Sequence, residues 1–224
     1  MIDNHDLFSA SITFALRSEG LDAHRVPAGD SNWIMQRARQ LQPGLALLDL
    51  QPGRDREGRP TGGEELVEPL RGSGWTVLIV GGGDDDIRLA AAIAAGAIGC
   101  VPKSSSFPAL MRAALAAANG ESIMSDDVRR NWIARHRNYQ TRTQLMADRF
   151  ARLRPRELQV LELLARGNRS AEAAEQLAVP PATVRLHVRS ILTRLGVGTQ
   201  VEAVALFLGQ RRSGESDPRT RPDT

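Results

Sequence analysis

Two short apolar runs, "LALLDL" at 45–50 and "WTVLIV" at 75–80, constrain this chain most. Each is too short for a helix, lacks a polar alternation and is followed by Gly or Pro. Such runs form strands buried on both faces, which occur in parallel sheets. A weaker third run, "GAIGCV", covers 96–101. Helical patterns flank and separate them at 6–19, 30–42, 63–71, 85–95 and 107–118. Strands alternating with helices at this interval predict βα units and an α/β doubly wound parallel sheet over residues 1–120.

The rest of the chain changes character. Residues 121–149 are polar and Arg-rich and read as a partly helical linker. Residues 150–210 carry helical patterns only, and 211–224 lack large apolar residues, so a disordered tail is expected there. The expected second domain is all-α. Its four helices run from Pro155 to Arg166, Ser170 to Leu177, Pro181 to Leu195 and Thr199 to Gly209. Pro155 suits a first helical residue, Ser170 suits an N-cap, and Gly167 and Gly196 suit stops.

Several function classes find no support. One cysteine, Cys100, excludes an internal disulfide framework. The four histidines have no metal-hydrolase spacing. No apolar run approaches the ~20 residues of a membrane span. "MIDNHDLF" has no basic segment followed by an apolar one, so a cytoplasmic protein with no membrane partner is expected. Between Ala151 and Arg212, ten arginines stand against five acids. That excess suits a nucleic-acid surface, and equally a solvated face.

Doubly wound sheets gather their chemistry at the carboxyl ends of the strands. Asp49 ends the first apolar run, and Lys103 follows the last in the same position. Asp3 and Asn4 follow what remains of a strand before them. The chain has 28 arginines and one lysine, so Lys103 stands where arginine is otherwise used throughout. A carboxylate cluster beside one ammonium fits phosphoryl acceptance. Aspartate can attack phosphorus to form an acyl phosphate. A divalent cation such as Mg²⁺ on the carboxylates would neutralise the incoming charge. Lysine offers a compact charge where arginine's planar fork fits poorly. "GGGDDD" at 81–86 could be a phosphate-cradling turn, but its aspartates would repel phosphate. A flexible loop with an acidic first helical turn is expected instead.

On the third C-terminal helix, Val184, Val188, Ile191 and Leu195 share one face, with Arg185, Leu186 and Arg189 on the other. A short helix and a tight turn precede it. That is helix-turn-helix geometry, with the second helix placed for the major groove of double-stranded DNA. On residues alone, a solvated face of an ordinary bundle stays open. On the fourth helix, Val201, Val204, Ala205 and Leu208 form one stripe, with Leu206 and Phe207 beside it. This exceeds what the edge of a small domain needs, so a homodimer contact is expected there.

"IDNH…LLDL…LIVGG…GCVPKS" resembles the receiver domain of bacterial response regulators. "TVRLHVRSILTRL", within 150–210, resembles the LuxR-type (NarL/FixJ-type) helix-turn-helix domain. The resemblance implies a DNA-binding transcription regulator of a two-component system, with a sensor histidine kinase as partner. It implies Asp49 as phosphoacceptor, Lys103 as its lysine partner, and Asp3 with position 4 as the metal-binding pair, Asp49 completing the set. It also implies that Thr183 and Val184 open the recognition helix, and that Arg185, Leu186 and Arg189 contact the groove. Arg156 and Glu157 would be structural, with Glu157 pairing or capping. His187 lies toward the core and reads as structural or a phosphate contact.

The departures are specific. Asn4 replaces the second acid. Gly81 stands where the family has Ser or Thr, and Cys100 where it has Tyr or Phe. Arg154 and Pro180 replace capping residues, each a loss of ~1 kcal/mol. Only Met1 and Ile2 precede the acidic pair, so the first strand is truncated. Either the true start lies upstream, which is the expectation, or the sheet lacks a full central strand. The altered pocket favours control by a small ligand, partner protein or dimerisation over conventional phosphorylation. A signalling protein acting as a phosphate sink or sequestering partner is the alternative, and Arg185 and Arg189 argue against it.

Overall fold

The computed structural model describes residues 1–55, 57–81 and 85–215. The chain divides into two compact units, Met1–Tyr139 and Gln140–Thr224. In the first, α1 (Asp6–Ser18) and α2 (Ser31–Ala38) precede β1 (Leu45–Leu48). Then follow α3 (Gly63–Gly72), β2 (Thr76–Val80), α4 (Asp86–Ala94), β3 (Gly99–Val101) and α5 (Phe107–Ala118). The parallel order is β1-β2-β3, in register Leu47↔Leu78 and Ile79↔Cys100. Every expected strand and helix of this half is present. The edge contributed by Val26 was not expected.

Ahead of α1 the sheet is extended by one bridging residue. Ile2 bridges in parallel to Leu48 on one side and to Val26 on the other. Thus Val26, Ile2, β1, β2 and β3 lie side by side, and Asp3 follows the same edge as Asp49. One core, with Ile34, Leu48, Leu66, Val67, Leu70 and Ile79, lies on one face of the sheet. The other, with Ile12, Leu16, Leu47, Leu78 and Val80, lies on the opposite face under α1 and α5. That division follows from side chains alternating along each strand. Gly63 lets α3 start against the end of β1: a Cβ there would meet the Asp49 carbonyl oxygen at 2.1 Å.

Asp85 caps α4 by accepting from Arg88 N–H at 3.1 Å, as the acidic run before this helix suggests. Residues 82–84 of "GGGDDD" lie outside the described residues. A long α6 (Asp126–Ala151) follows, and the division between the units falls within it.

In the second unit, α7 (Pro155–Ala165), α8 (Ser170–Gln176), α9 (Pro181–Leu195) and α10 (Gln200–Glu215) enclose a core. It contains Val160, Leu161, Ala173, Val184, Ile191, Leu195 and Phe207. Buried Glu157 substitutes for the missing cap on α7. It accepts from Arg154 N–H at 2.7 Å and from Ser190 O–H at 2.6 Å, and pairs with Arg194 at 3.3 Å. Glu172 does the same for Arg169 N–H, so Arg169 is the cap position of α8 and Ser170, expected as the cap, is its first helical residue. The turn between α8 and α9 holds Ala178 at a φ of 51°, a left-handed conformation rare for alanine. α10 continues through Glu215, so the start of the expected tail is helical; residues 216–224 lie outside the described residues. Among the described residues, no single helix is long and apolar enough to cross a membrane.

Candidate functional site: a strand-end pocket and a recognition helix

The parallel register brings Asp3, Asp49 and Lys103 together. Both carboxylates are buried, Asp3 being 2% and Asp49 7% exposed. Lys103 Nζ lies 2.8 Å from Asp3 Oδ2 and 2.9 Å from Asp49 Oδ2, so one ammonium bridges two acids. Phe8 adds its ring face 5.5 Å from the same nitrogen. The lone lysine is where its charge has two buried partners.

His5 joins the cluster, a residue not anticipated from sequence. Its backbone N–H donates to Asp3 Oδ1 at 2.7 Å, and its ring stays largely exposed at the rim. Nδ1 sits 3.1 Å from Asp3 Oδ1 and 3.1 Å from Lys103 Nζ. It cannot donate to the carboxylate and accept from the ammonium at once, so the tautomer decides which bond forms. Asp3, His5 and Asp49 each offer a ligand atom within 4.8 Å of the others. Asn4 is exposed. The only clue to His5 in the sequence is its place two residues after Asp3.

Gly81 and Cys100 also meet at this edge. A Cβ on Gly81 would lie 3.2 Å from Asp49 Oδ1 and 3.8 Å from Lys103 Cε, so position 81 faces the carboxylate without offering a hydroxyl. Its φ of +131° would strain any other residue. The Cys100 thiol donates to the Gly81 carbonyl at 2.8 Å. Burial pushes that thiol's pKa up to about 11, so it stays protonated and remains a donor.

In the second unit, α9 is built as its periodicity predicts. Val184, Ile191 and Leu195 are buried, and Val188 packs against the same core. Arg185 and Arg189 are exposed, and Leu186 is 68% exposed beside them. Thr183 and His187 are half-buried. On α10, Val201 is 78% exposed, with Ala205 and Leu208 also exposed. Val204, expected on the same outward stripe, packs partly against the core, beside Ala203 and Phe207.

An all-parallel sheet with acids at its strand ends, followed by a helix-turn-helix bundle, defines a response regulator. Residues 151–207 match the family described as bacterial regulatory proteins, luxR family. The chain is 30% identical over 213 residues to the nitrate/nitrite response regulator protein NarP of Escherichia coli, covering 94% of each chain. It is 28% identical over 210 residues to the probable transcriptional regulatory protein NarL of Mycobacterium tuberculosis, covering 93% of this chain and 92% of the relative. It also aligns with the solved response regulator StyR at 25% identity and a TM-score of 0.41, over 93% and 96% of the two chains. The chain belongs to the response-regulator family of NarP and is a DNA-binding transcription regulator of that type.

Proposed function

We propose that this regulator reads duplex DNA through the outer face of α9 and does so as a homodimer. The observation that carries this is the pair Arg185 and Arg189, exposed one turn apart on a helix anchored by Val184, Ile191 and Leu195. A fixed helix with two outward guanidinium groups suits guanine edges and phosphates in the major groove. Thr183 and Val184 set its entry end. Leu186 adds an apolar contact of the kind a thymine methyl accepts. The exposed Val201, Ala205 and Leu208 of α10 give a second copy an apolar stripe, which would place two half-sites about one helical turn apart.

At the strand-end pocket, Asp49 is the proposed phosphoacceptor for a sensor histidine kinase. Asp3 and Asp49 supply the oxygen ligands Mg²⁺ requires and would hold it, with His5 at the rim. Bound there, Mg²⁺ would offset charge on the phosphoryl group. Lys103 is placed to bind a phosphoryl oxygen on Asp49. Beyond that step the pocket departs from the family's pattern. Position 81 has no hydroxyl to move toward the phosphoryl group, and Cys100 is bonded to Gly81's carbonyl. We therefore propose that control does not run through a hydroxyl–aromatic pair. A small ligand or partner protein at this unit is the proposed input.

Duplex binding at several salt concentrations tests the first reading. Affinity that falls with salt and depends on Arg185 and Arg189 supports it; no affinity at low salt overturns it. Intact mass after incubation with Mg²⁺ and a small phosphodonor, with Asp49→Asn as control, tests the second. A labelled protein whose DNA affinity is unchanged fits the proposal. A label that raises affinity several-fold overturns the independence from phosphate.

A further inference from the structure

Helix α9 is tied to its surroundings unevenly. Among the described residues, the hydrogen bonds and ion pairs of side chains that join it to other elements fall between Ser190 and Leu195. Toward its start it is held by packing, with Val184 in the core, and its N-cap Pro180 offers no side-chain hydrogen bond. Arg185 and Arg189 therefore stand on the length of helix without polar ties. An α-helix rises about 1.5 Å per residue, so Arg185 lies about 15 Å along the axis from Leu195. A tilt of about 4° at the tied end would carry Arg185 by about 1 Å.

On one side the tied end meets Glu157 of α7, which takes Ser190 and Arg194. On the other it meets the end of α6, and that contact is reciprocal. Arg149 Nη1 donates to Leu195 O at 3.1 Å, and Arg194 Nη1 donates back to the Arg152 carbonyl at 2.9 Å. Leu195 is the last residue of α9, so its carbonyl has no acceptor role left within the helix. Gly196 then turns the chain in a left-handed conformation, and a Cβ there would lie 3.7 Å from Arg149 Nη1. The guanidinium thus sits against the helix end, where a cation also suits the negative end of the dipole. Beside it, buried Phe150 places its ring 6.1 Å from that of Phe207, which fixes the turn that carries Arg149.

We infer that Arg149 is a positioning residue for DNA recognition. With the Arg194 bond to the Arg152 carbonyl, it fixes the C-terminal end of α9 against the segment that leads into the helical unit. It thereby decides which duplex sequences Arg185 and Arg189 reach, while touching no base itself. This rests on the reading of α9 as the groove-facing helix. The last turn of α6 is then the point at which a change in that segment is passed to α9 and alters its sequence preference.

The test uses the full chain and two duplexes of equal length and composition. One is enriched by the wild-type protein from a randomised pool, and the other is its scrambled sequence. Fluorescence anisotropy gives both affinities across a salt series for the wild type, Arg149→Met, Arg149→Lys and Arg189→Ala. In Arg149→Met the ratio of enriched to scrambled affinity is expected to fall at least about fivefold, as for one weakened base contact. Affinity for the scrambled duplex and the salt slope should match the wild type, because phosphate contacts are untouched. Arg149→Lys, which keeps a cationic donor, should recover part of the ratio. Partial unfolding lowers both affinities by one factor and leaves their ratio unchanged. A ratio within about twofold of the wild type therefore overturns the inference, whatever the variant's stability. So does a salt slope shallower by about one, which would make Arg149 a phosphate contact. A preference that survives Arg189→Ala overturns the reading of α9 and the inference with it. A preference lost in Arg189→Ala but kept in Arg149→Met overturns the inference alone.

Discussion

The strand-end pocket and the outer face of α9 are built on opposite plans. The pocket takes Asp3, Asp49 and Lys103 from three distant stretches and ties them by ion pairs in a largely buried place. The α9 face takes Arg185, Leu186 and Arg189 from five consecutive residues and leaves them exposed. In the pocket each charge stabilises another, so the proposed function and the fold would share the same atoms. On α9 the core-facing residues fold the helix and the outward ones are free to serve a partner. One site is therefore expected to report damage as lost stability, the other as lost binding.

The largest test of that contrast is Lys103→Met. Removing the ammonium leaves two buried carboxylates without their common partner, and breaking such pairs costs about 3–5 kcal/mol. Denaturant unfolding followed by tryptophan fluorescence should show that loss in the first unit. A loss below about 0.5 kcal/mol would mean that the cluster is solvated and the contrast is wrong.

Arg189→Ala should do the reverse. Duplex affinity is expected to fall by about 1–3 kcal/mol at fixed salt, as for a lost base contact. Stability should change by no more than about 0.5 kcal/mol, as for surface substitutions generally. Fluorescence anisotropy with a labelled duplex and thermal unfolding monitored by circular dichroism separate the two. A destabilised variant with unchanged affinity would reverse the assignment.

The smallest effect sharpens the comparison within the second unit. Burial pushes Glu157's pKa up, but the Arg154 N–H, the Ser190 hydroxyl and the Arg194 charge outweigh it and hold the carboxyl below its ordinary value. A depressed carboxyl stabilises the fold above its unfolded pKa and loses that contribution as pH falls through its folded one. Stability of the helical unit should therefore decline as pH drops below about 4.3. Glu157→Gln should start less stable near neutrality and show a flatter acid limb. An unchanged acid limb would place the titration elsewhere.

Legibility in the sequence divides along the same line. The α9 face was readable because a helix converts spacing directly into direction: Val184 and Ile191 point in, Arg185 and Arg189 point out. Asp49 and Lys103 were readable once the apolar runs implied parallel strands, since topology then gathers strand ends. Val26 was not, because a single bridging residue has no periodicity. His5 was not, because its ring stays at the rim and joins the cluster only by reaching Asp3 and Lys103. The Cys100 bond to Gly81 depends on strand register, which pairs Ile79 with Cys100 and brings the thiol beside the next turn. Val204 falls half-buried at the margin of the expected stripe, because helical spacing gives a stripe's direction without its width; buried Ala203 and Phe207 lie beside it.

The left-handed Ala178, in the turn ahead of α9, has a consequence for tuning. A non-glycine residue there carries about 1–2 kcal/mol of steric cost, yet it restricts the backbone far more than glycine would. If α9 enters a groove as proposed, the restricted turn would narrow the range of angles it can take. Relaxing it with glycine would ease the strain and broaden the range of angles at which the helix meets a groove. Discrimination between similar operators could thus drift at a residue that need not touch a base.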